Sequence, residues 1–391
     1  MDLVILAGGK GTRISKYTKN CPKPLIKIGK LRFLDYLIAN ICKYNFKNIY
    51  ILCGYKGEQI KKKYHNKQKN FVKIKCIIET KLLGTAGSLY QLKNIISKKF
   101  IVVNGDSFLE FDFNKLINYR NSNSQQIMCL VKNKNYLSNK KLSNLKILKK
   151  NQVNFSNKSM LMNAGIYRFD NKIFNYIKEK KYLSLEENVM PDLINNRSLK
   201  GLECKNFFLD IGTKKNLLLS KKILPIYFKK PAIFLDRDGT INYDKGYTYK
   251  IKDLKFKANV ISFLQKINKN KVYLFIVTNQ AGIGKKYFTI NQFFNFQINM
   301  KQELIKKNIF INDVKFCPFH PKAKIKKYRK KSGYRKPGML MIGEILKEWY
   351  IDKKKSIFIG NSKVDHECAL NAGIKYYDVN EIGKIKSKKF L

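Results

Sequence analysis

The chain has 391 residues, of which 44% are hydrophobic and 27% are charged. This length predicts roughly two or three domains, and the hydrophobic share excludes a mainly disordered chain. No run of about 18 apolar residues occurs, so we expect no membrane span and no membrane partner. The first residues predict a buried strand rather than a signal peptide, and we therefore expect a cytoplasmic protein.

The formal net charge of +53 comes mainly from lysines that are spread over both halves of the chain. We interpret them as solvated surface groups, because charge alone argues only for non-specific nucleic-acid binding. We expect polyanionic small substrates and no specific nucleic-acid partner. The eight cysteines have no paired spacing, which predicts buried free thiols in a reducing compartment. The sequence leaves open whether the chain forms a homo-oligomer.

Short apolar runs alternate with amphipathic segments in the first half. The apolar runs predict strands at 4–7, 48–53, 72–78, 100–106 and, less regularly, 164–169. The amphipathic segments predict helices near 33–45, 56–66 and 85–97. This alternation predicts a parallel sheet with helices on both faces, the doubly wound, Rossmann-like α/β class.

The same alternation begins again in the second half. It predicts strands at 232–236, 272–279, 314–317, 356–360 and 374–379. Between the halves, the segment LPIYFKKP carries two prolines and has no clear period. We therefore predict a first domain at 1–223, a linker at 224–230 and a second domain at 231–391.

A glycine-rich turn, LAGGKGTR, follows the first predicted strand, and PKPL follows it at short range. Glycine lets backbone N–H groups approach a phosphate, although a glycine-rich turn alone is more often structural. Here Arg13 and Lys23 can contact a triphosphate from two sides. The combination favours a nucleotide site.

These segments begin an ordered series that resembles the sugar-phosphate nucleotidyltransferases over residues 1–222. The series continues with GTAG at 84–87, GD at 105–106, NAGIY at 163–167 and DIGT at 210–213. The resemblance implies that a sugar 1-phosphate oxygen attacks the α-phosphate of a nucleoside triphosphate and that pyrophosphate leaves. The segment SLE at 184–186 resembles most the D-glycero-D-manno-heptose 1-phosphate guanylyltransferases, which favours GTP. Mannose 1-phosphate and glucose 1-phosphate enzymes remain alternatives.

The resemblance also implies a role for each matching residue. Asp106 and Asp210 would hold Mg²⁺, and Lys23 would stabilise the charge on the α-phosphate. The departing phosphates would be held by the glycine turn and its neighbours, which are Gly8, Gly9, Gly11, Thr12 and Arg13. The remaining positions would recognise the base (Glu79, Gly84), the sugar (Gly165, Glu186) and the sugar phosphate (Lys158, whose usual acidic neighbour is here Asn157).

A second motif, FLDRDGT, follows the strand predicted at 232–236. Two carboxylates one residue apart at a strand end can act on one phosphate: Asp236 can attack phosphorus while Asp238 protonates the leaving oxygen. Thr278 ends the next predicted strand, where a hydroxyl can hold the phosphoryl group. Arg is scarce in this chain, and Arg237 and Arg335 both lie in motifs where a guanidinium can grip phosphate oxygens.

This half resembles the haloacid dehalogenase phosphatases over residues 231–380. The segments DRDGTIN, TNQAGIG, CPFHP and YRKPGM are most similar to the branch with heptose 1,7-bisphosphate 7-phosphatase and histidinol phosphatase. The resemblance implies a capless domain in which Asp236 is the nucleophile and Asp238 the general acid and base. Thr278 and Asn279 would orient the phosphate, Lys336 would pair with the nucleophile and Arg335 would contact the substrate.

Two departures from that branch affect its metal sites. Members of that branch bind zinc through a CxH pair and a CxC pair. Here the CxH pair is incomplete, because His320 follows Cys317 one position later than the pattern requires. The CxC pair is replaced by SGY at 332–334. One ligand cannot build a tetrahedral zinc site, so we predict no zinc. The implied Mg²⁺ ligands are Asp236, Asp238 and Asn361, where Asn361 replaces an aspartate. We predict an active phosphatase with weak Mg²⁺ binding, in which Asp365 could compensate for the lost charge; a decayed phosphatase is the alternative.

The two resemblances together predict a bifunctional enzyme of nucleotide-heptose synthesis, which would supply glycan precursors such as those of lipopolysaccharide. The phosphatase half would remove the 7-phosphate of heptose 1,7-bisphosphate, and the transferase half would couple the heptose 1-phosphate to a nucleotide. The alternative is a mannose or glucose 1-phosphate nucleotidyltransferase fused to a weak or inactive phosphatase.

Overall fold

A computed structural model describes residues 1–119, 126–132, 143–156, 158–177, 181–267 and 269–385. The chain divides into two compact units. Unit 1 comprises Met1–Ile41 and Phe46–Ile223, and unit 2 comprises Cys42–Asn45 and the chain from Leu224 onward.

Unit 1 is built on a ten-stranded mixed sheet and two short antiparallel ribbons. Its strands are β1 Asp2–Ala7, β2 Lys27–Ile28, β3 Leu31–Arg32, β4 Asn48–Cys53, β5 Gln68–Lys69, β6 Val72–Ile78, β7 Lys99–Asn104, β8 Ser107–Leu109, β9 Gln126–Lys132, β10 Ser143–Ile147, β11 Val153–Phe155, β12 Leu161–Asp170, β13 Leu199–Cys204 and β14 Phe208–Asp210. The main path through the large sheet is β11-β10-β12-β7-β1-β4-β6-β5, with β9 paired to both β12 and β13. The ribbons are β2-β3 and β8-β14.

The centre of this sheet is parallel, as the sequence predicts. Strand β1 pairs in parallel with β4 and β7, and β4 pairs in parallel with β6. All six residues of β1 and of β4 are buried, as expected for strands that are covered on both faces. Strand β12 then pairs antiparallel with β7, so the sheet becomes mixed on that side.

Helical segments of unit 1 connect these strands. The α-helices are α1 Ser15–Thr18, α2 Phe33–Ile41, α3 Gly57–Tyr64, α4 Gly84–Tyr90, α5 Asn114–Ile117, α6 Met190–Asn195 and α7 Lys214–Tyr227, of which residues 224–227 belong to unit 2. A π-helix spans Leu185–Val189, and 3-10 turns span Thr12–Ile14, Lys23–Leu25, Lys149–Asn151 and Asn171–Tyr176. The predicted helix at 85–97 ends at Tyr90, because the following residues form i to i+3 turns instead.

Unit 2 contains a five-stranded sheet that is parallel throughout. Its strands are β15 Ala232–Leu235, β16 Tyr273–Asn279, β17 Asp313–Cys317, β18 Ile357–Gly360 and β19 Lys375–Asp378. Their order in the sheet is β17-β16-β15-β18-β19. The chain therefore moves outward from β15 in one direction and then crosses to its other side, which creates a topological switch point at β15.

The helices of unit 2 cover this sheet. They are α8 Ala258–Gln265, α9 Ala281–Gly284, α10 Ile290–Lys306, α11 Leu340–Glu348 and α12 Lys363–Asn371, with 3-10 turns at Ile251–Asp253, Lys326–Tyr328, Lys353–Lys355 and Val379–Lys384. Helix α10 begins at a capping box of Thr289 and Gln292. Phe296, Met300 and Leu304 then recur at helical spacing and join the core of the unit.

The α/β class predicted from the sequence is confirmed in both units. Strands β4 and β6 have the predicted bounds, and the strands of unit 2 agree to within a residue or two. The structure differs from the predicted linker, because α7 runs to Tyr227 and so includes residues 224–227. Pro225 has no backbone N–H to donate, yet the helix continues across it. Leu217 and Leu224 lie two turns apart on this helix, and both are completely buried.

None of the helices within the described residues is both long and apolar enough to cross a lipid bilayer.

Candidate active sites

The first predicted site lies where neighbouring parallel strands of unit 1 end. Gly8 follows β1, and Gly105 and Asp106 follow β7, which pairs with β1. The backbone N–H of Gly105 donates to the carbonyl oxygen of Leu6 over 2.8 Å and holds the two strand ends together. The sheet order changes direction at β1, and this is the edge where doubly wound sheets bind ligands.

The β8-β14 ribbon brings Asp106 and Asp210 together. Asp210 is the register partner of Ser107, and the N–H of Ile211 donates to the carbonyl oxygen of Asp106 over 2.9 Å. The side chain of Asp210 is buried, and its Oδ1 accepts from the N–H of Gly212 over 2.8 Å. The sequence analysis assigned both aspartates to one metal but did not predict this ribbon.

Two cations lie beside these carboxylates. The Nζ atom of Lys23 is 2.9 Å from Oδ2 of Asp106. Lys23 also lines the glycine turn, because its Cε would lie 3.3 Å from a Cβ atom built on Gly11. The Nη2 atom of Arg13 would lie 3.3 Å from a Cβ atom built on Gly212, beside Asp210. The structure thus groups the predicted phosphate-binding cations with the predicted metal ligands.

The other residues of the glycine turn differ in their surroundings. Gly8 lies against Glu79, whose Oε1 would be 2.6 Å from a Cβ atom on the glycine. Burial raises the pKa of Glu79, while a hydrogen bond from the N–H of Leu83 to its Oε2, 3.3 Å long, opposes that rise. Gly9 and Thr12 are exposed, which leaves their backbone open to a ligand.

The predicted sugar-recognition residues form a second cluster around Glu186. Its Oε2 accepts from the hydroxyls of Thr85 at 3.0 Å and Ser184 at 3.3 Å. Its Oε1 accepts from the hydroxyl of Tyr167 at 3.4 Å and from Nδ2 of Asn104 at 3.5 Å. None of these four partners was predicted as a site residue; Thr85 and Tyr167 lie inside the GTAG and NAGIY motifs, so the signal was present.

Glycines at two predicted positions allow close approaches in this cluster. Gly165 has φ of 73°, and a Cβ atom there would lie 2.8 Å from Nδ2 of Asn104. Gly84 also has φ of 73°, and a Cβ atom there would lie 2.4 Å from the carbonyl oxygen of Leu183. A side chain at either position would meet both a strained backbone and a steric clash.

Lys158 is not joined to this cluster in the structure. It lies in an exposed turn after β11, and its N–H donates to the hydroxyl of Ser156 over 3.3 Å. Within the described part of the chain, its side chain has no hydrogen bond or ion pair with the other predicted site residues. Its predicted neighbour Asn157 lies outside the described residues.

The second predicted site lies at the switch point of unit 2. Asp236 follows β15 and Asn361 follows β18, and these two strands are neighbours. The N–H of Asp236 donates to the carbonyl oxygen of Ile359 over 3.0 Å. Thr278 and Asn279 end β16, the neighbour of β15 on its other side.

Lys336 connects two carboxylates in the interior of this site. Its Nζ atom is 2.6 Å from Oδ1 of Asp236 and 2.6 Å from Oδ1 of Asp365. Burial raises the pKa of Asp236 to about 7; Lys336 opposes the rise, and the charges of Asp365 and Asp238 add to it. The pKa of Lys336 is also raised: burial lowers it, but the attraction of the two carboxylates outweighs burial.

The side chain of Asn279 orients Lys336 by hydrogen bonds to the backbone of Lys336. Its Nδ2 donates to the carbonyl oxygen of Lys336 over 3.2 Å, and its Oδ1 accepts from the N–H of Lys336 over 3.0 Å. The peptide bond between Lys336 and Pro337 is cis. Arg335, the other predicted residue of this loop, is half-buried, and its Nη1 has no hydrogen-bond partner among the described residues.

The carboxylate of Asp238 is held by three side chains. Arg237 donates to both of its oxygens, at 2.9 and 2.7 Å. Gln280 donates to Oδ2 at 2.8 Å and Asn242 to Oδ1 at 3.2 Å. The same Nε2 of Gln280 also donates to the hydroxyl of Thr278 over 2.8 Å, so one amide connects two predicted catalytic residues. The sequence analysis did not identify Gln280.

Arg237 differs from its expected role as a phosphate-binding residue. Its side chain is completely buried, stacks over the ring of Phe296 and donates to the carbonyl oxygen of Thr248 over 2.8 Å. Within the described residues, its Nη1 has no hydrogen-bond partner. The guanidinium is therefore committed to Asp238 and to the following loop, and a phosphate cannot reach it.

Compensation by Asp365 for the charge missing at Asn361 remains a prediction, and the surroundings of Asp365 argue against direct metal binding. The carboxylate of Asp365 is completely buried, and its Oδ2 accepts from the hydroxyl of Ser362 at 2.6 Å in the capping box of α12. Its Oδ1 accepts from Lys336. Both oxygens of this buried carboxylate thus accept from other groups. Asn361 is exposed instead, although its Oδ1 also accepts, from the hydroxyl of Thr240 over 3.1 Å.

The donor sets of the two sites fit Mg²⁺ to different degrees. Asp106 and Asp210 offer two carboxylates on residues that the β8-β14 ribbon brings together, and substrate phosphates supply further hard oxygen ligands in such sites. In unit 2, Asp236 and Asn361 offer one carboxylate and one amide oxygen, while Asp238 faces three protein donors. Among the described residues, no group of three or more His, Cys, Asp or Glu side chains is arranged to hold a metal ion.

The loop with the zinc-position residues is held by other contacts. Arg329 donates to the carbonyl oxygens of Ala323 at 2.7 Å and Lys324 at 3.2 Å. Cys317 is buried, which raises the pKa of its thiol, and His320 accepts at Nδ1 from a backbone N–H. The absence of zinc remains a prediction.

Two family models match this chain. A model described as nucleotidyl transferase matches residues 3–224, and one described as polynucleotide kinase 3 phosphatase matches residues 232–382. A bifunctional protein GlmU from Methanococcus aeolicus is 34% identical over 231 residues, which are 56% of this chain and 53% of that protein. The chain therefore spans about half the length of that relative.

Relatives of the second half are covered over most of their length. The D-glycero-beta-D-manno-heptose-1,7-bisphosphate 7-phosphatase of Rhodopseudomonas palustris is 36% identical over 146 residues, which are 37% of this chain and 81% of that protein.

Among solved structures, HddC from Yersinia pseudotuberculosis has a TM-score of 0.48 and 27% identity, covering 57% of this chain and 99% of that chain. The two family models and the 7-phosphatase relative confirm the resemblances noted in the sequence for both halves of the chain.

Proposed function

We propose the function of this chain from its two enzyme families: through residues 3–224 it belongs to the nucleotidyl transferase family, and its C-terminal part belongs to the family of the heptose-1,7-bisphosphate 7-phosphatases. The chain is a bifunctional enzyme. It removes the 7-phosphate of a heptose 1,7-bisphosphate and joins the resulting heptose 1-phosphate to a nucleotide. GTP is the nucleotide that the sequence resemblance favours.

The union of the two families in one chain carries this proposal. Removal of the 7-phosphate leaves a sugar 1-phosphate, which is the class of substrate that a sugar-phosphate nucleotidyltransferase consumes. The product of unit 2 is thus a substrate for unit 1. The relatives of the second half point to heptose, and the transferase family supplies the use of the resulting 1-phosphate.

In unit 1, the chain's residues position charges around a phosphoryl transfer. An oxygen of the sugar 1-phosphate attacks the α-phosphorus of the nucleoside triphosphate, and pyrophosphate leaves. Lys23 neutralises charge at the α-phosphate, while Arg13 and the backbone of the glycine turn hold the departing phosphates. Mg²⁺, when bound by Asp106 and Asp210, would supply further charge neutralisation.

In unit 2, phosphate leaves through a covalent intermediate. The Asp236 carboxylate attacks the phosphorus, the bond to the sugar oxygen breaks, and Asp238 protonates that oxygen. Asp238 then takes a proton from water as the water hydrolyses the aspartyl phosphate. Thr278 and Lys336 hold the phosphoryl oxygens and neutralise their charge. Mg²⁺, when held by Asp236 with Asn361, would neutralise the same group.

One observation favours a second candidate. Asn361 supplies an amide where the resemblance implies a carboxylate, and the nearby Asp365 is completely buried, with both of its oxygens accepting from other groups. A mannose or glucose 1-phosphate nucleotidyltransferase with a weak or inactive phosphatase unit is therefore the alternative function.

The test is a product analysis with the full chain. The protein is incubated with heptose 1,7-bisphosphate, Mg²⁺ and each nucleoside triphosphate in turn, and the products are identified by mass. We expect free phosphate, pyrophosphate and one nucleotide heptose. If no nucleotide heptose forms while mannose or glucose 1-phosphate reacts, the alternative function is correct.

A further inference from the structure

We propose that Thr85 is a positioning residue for Glu186: it holds Oε2 of this carboxylate so that Oε1 can accept from hydroxyl groups of the sugar. The inference rests on the proposed transferase function and deepens it. It concerns the hydrogen-bond network around Glu186, whose members all belong to unit 1.

The Thr85 hydroxyl has a fixed hydrogen-bond direction. Its Oγ1 accepts from the backbone N–H of Leu185 over 2.8 Å, and an N–H can only donate. The single hydrogen of the hydroxyl is therefore available for Oε2 of Glu186, 3.0 Å away. Thr85 holds the carboxylate and also the backbone next to it.

The other partners of Glu186 also donate to it. The hydroxyl of Tyr167 already accepts from Nδ2 of Asn163 at 2.5 Å, so its hydrogen faces Oε1 of Glu186. Nδ2 of Asn104 carries only hydrogens. Glu186 thus acts only as an acceptor. With Ser184 it has four donors, as many as a carboxylate has lone pairs, but the two contacts at Oε1 are long, at 3.4 and 3.5 Å, so sugar hydroxyl groups can displace them there.

The backbone connects this carboxylate to the predicted base-recognition segment. The N–H of Leu183 donates to the carbonyl oxygen of Leu83 over 2.9 Å, and the carbonyl of Leu183 accepts from the N–H of Ala86 over 2.9 Å. Gly84 lies between these bonds. Thr85 adds the side-chain connection between the same two segments, so its loss should disturb the sugar subsite more than the nucleotide subsite.

The experiment measures the separate KM values of the sugar 1-phosphate and the nucleoside triphosphate. Thr85→Val keeps the shape and removes the hydroxyl, and Thr85→Ser keeps the hydroxyl. Ser88→Ala is the matched control, because Ser88 lies in the same helix, is buried, and its hydroxyl donates only to the carbonyl oxygen of Thr85.

We expect Thr85→Val to raise the KM of the sugar 1-phosphate by about tenfold, the usual effect of losing a hydrogen bond to a charged group. The KM of the nucleoside triphosphate should stay within about twofold, and Thr85→Ser should retain wild-type values. In a Glu186→Gln background, Thr85→Val should add no further increase.

Three results would overturn the inference: equal effects of Thr85→Val and Ser88→Ala, equal increases in both KM values, or a Thr85→Ser variant as impaired as Thr85→Val. A wild-type chain that converts no sugar 1-phosphate contradicts the proposed function itself. A wild type that does convert one, with Thr85→Val unimpaired, contradicts only the role of Thr85.

Discussion

The Nζ atom of Lys336 lies 2.6 Å from Oδ1 of Asp236, the residue that we propose as the nucleophile. Both side chains are buried, and Lys336 has a second carboxylate partner in Asp365. The buried ammonium of Lys336 lies between the two carboxylates and largely neutralises the charge of Asp236 until an anionic phosphate binds. The pair therefore connects the stability of unit 2 to its chemistry.

Lys336→Met should remove the cation that neutralises the carboxylates of Asp236 and Asp365. We expect phosphate release to fall by about 100-fold or more, because the cation that faces the phosphoryl oxygens is lost. The free energy of unfolding should fall by about 3–5 kcal/mol, because two buried carboxylates lose their partner. Urea denaturation and a phosphate assay measure both effects, and Lys327→Met, at an exposed lysine, is the control. Normal phosphate release by Lys336→Met would contradict the assignment.

The phosphatase reaction should depend on pH through Asp236. Burial raises the pKa of this carboxyl to about 7, and only the ionised form attacks phosphorus. We expect kcat/KM to rise about tenfold per pH unit below that value and to level off above it. Because Mg²⁺ competes with the proton, the midpoint should move to lower pH as Mg²⁺ increases. At limiting Mg²⁺, a flat profile between about pH 5 and 8 would exclude Asp236 as the titrating nucleophile.

Asn361→Asp should strengthen Mg²⁺ binding to unit 2. The substitution adds a negative charge at the exposed end of β18, and we expect the half-saturating Mg²⁺ concentration to fall by about tenfold. Phosphate release across Mg²⁺ concentrations measures this, with Asn308→Asp at an exposed turn as the charge control. Equal activity of wild type and Asn361→Asp at limiting Mg²⁺ would disprove the prediction.

Lys23→Met should impair the transferase alone. Lys23 lies 2.9 Å from Asp106, and we expect kcat/KM for nucleotide-sugar formation to fall by about 100-fold when this cation is removed. Phosphate release by unit 2 should not change. Lys27→Met is the control, because Lys27 is an exposed lysine four residues along the same segment. Similar rates for the two variants would argue against a role for Lys23.

Gln280→Leu should misorient the general acid. Gln280 donates to both Asp238 and Thr278, so its loss frees the Asp238 carboxylate from one of its three donors. We expect kcat to fall by about 100-fold for sugar phosphates, whose leaving oxygen needs a proton. An aryl phosphate with an acidic leaving group should be much less affected. A uniform loss with both substrates would indicate a general structural defect instead.

Local sequence features were sufficient to predict the fold class and to indicate phosphate chemistry at both sites. The segments at 48–53 and 72–78 predicted strands with the observed bounds. The first is apolar along its length, as a strand buried on both faces must be, and the second alternates buried apolar residues with exposed lysines. The glycine turn and the DRDGT segment likewise indicated phosphate chemistry, since both place their functional groups within a few residues of a strand end.

Only the tertiary structure decided how distant segments meet. Asp106 and Asp210 are adjacent because β8 and β14 pair, and Thr85 reaches Glu186 because two segments about 100 residues apart are hydrogen-bonded together. Arg237 and Asp365 turned inward, although their motifs suggested contacts with phosphate and metal. A motif specifies which groups are available, but side-chain direction depends on burial and on the partners that pairing between strands brings near.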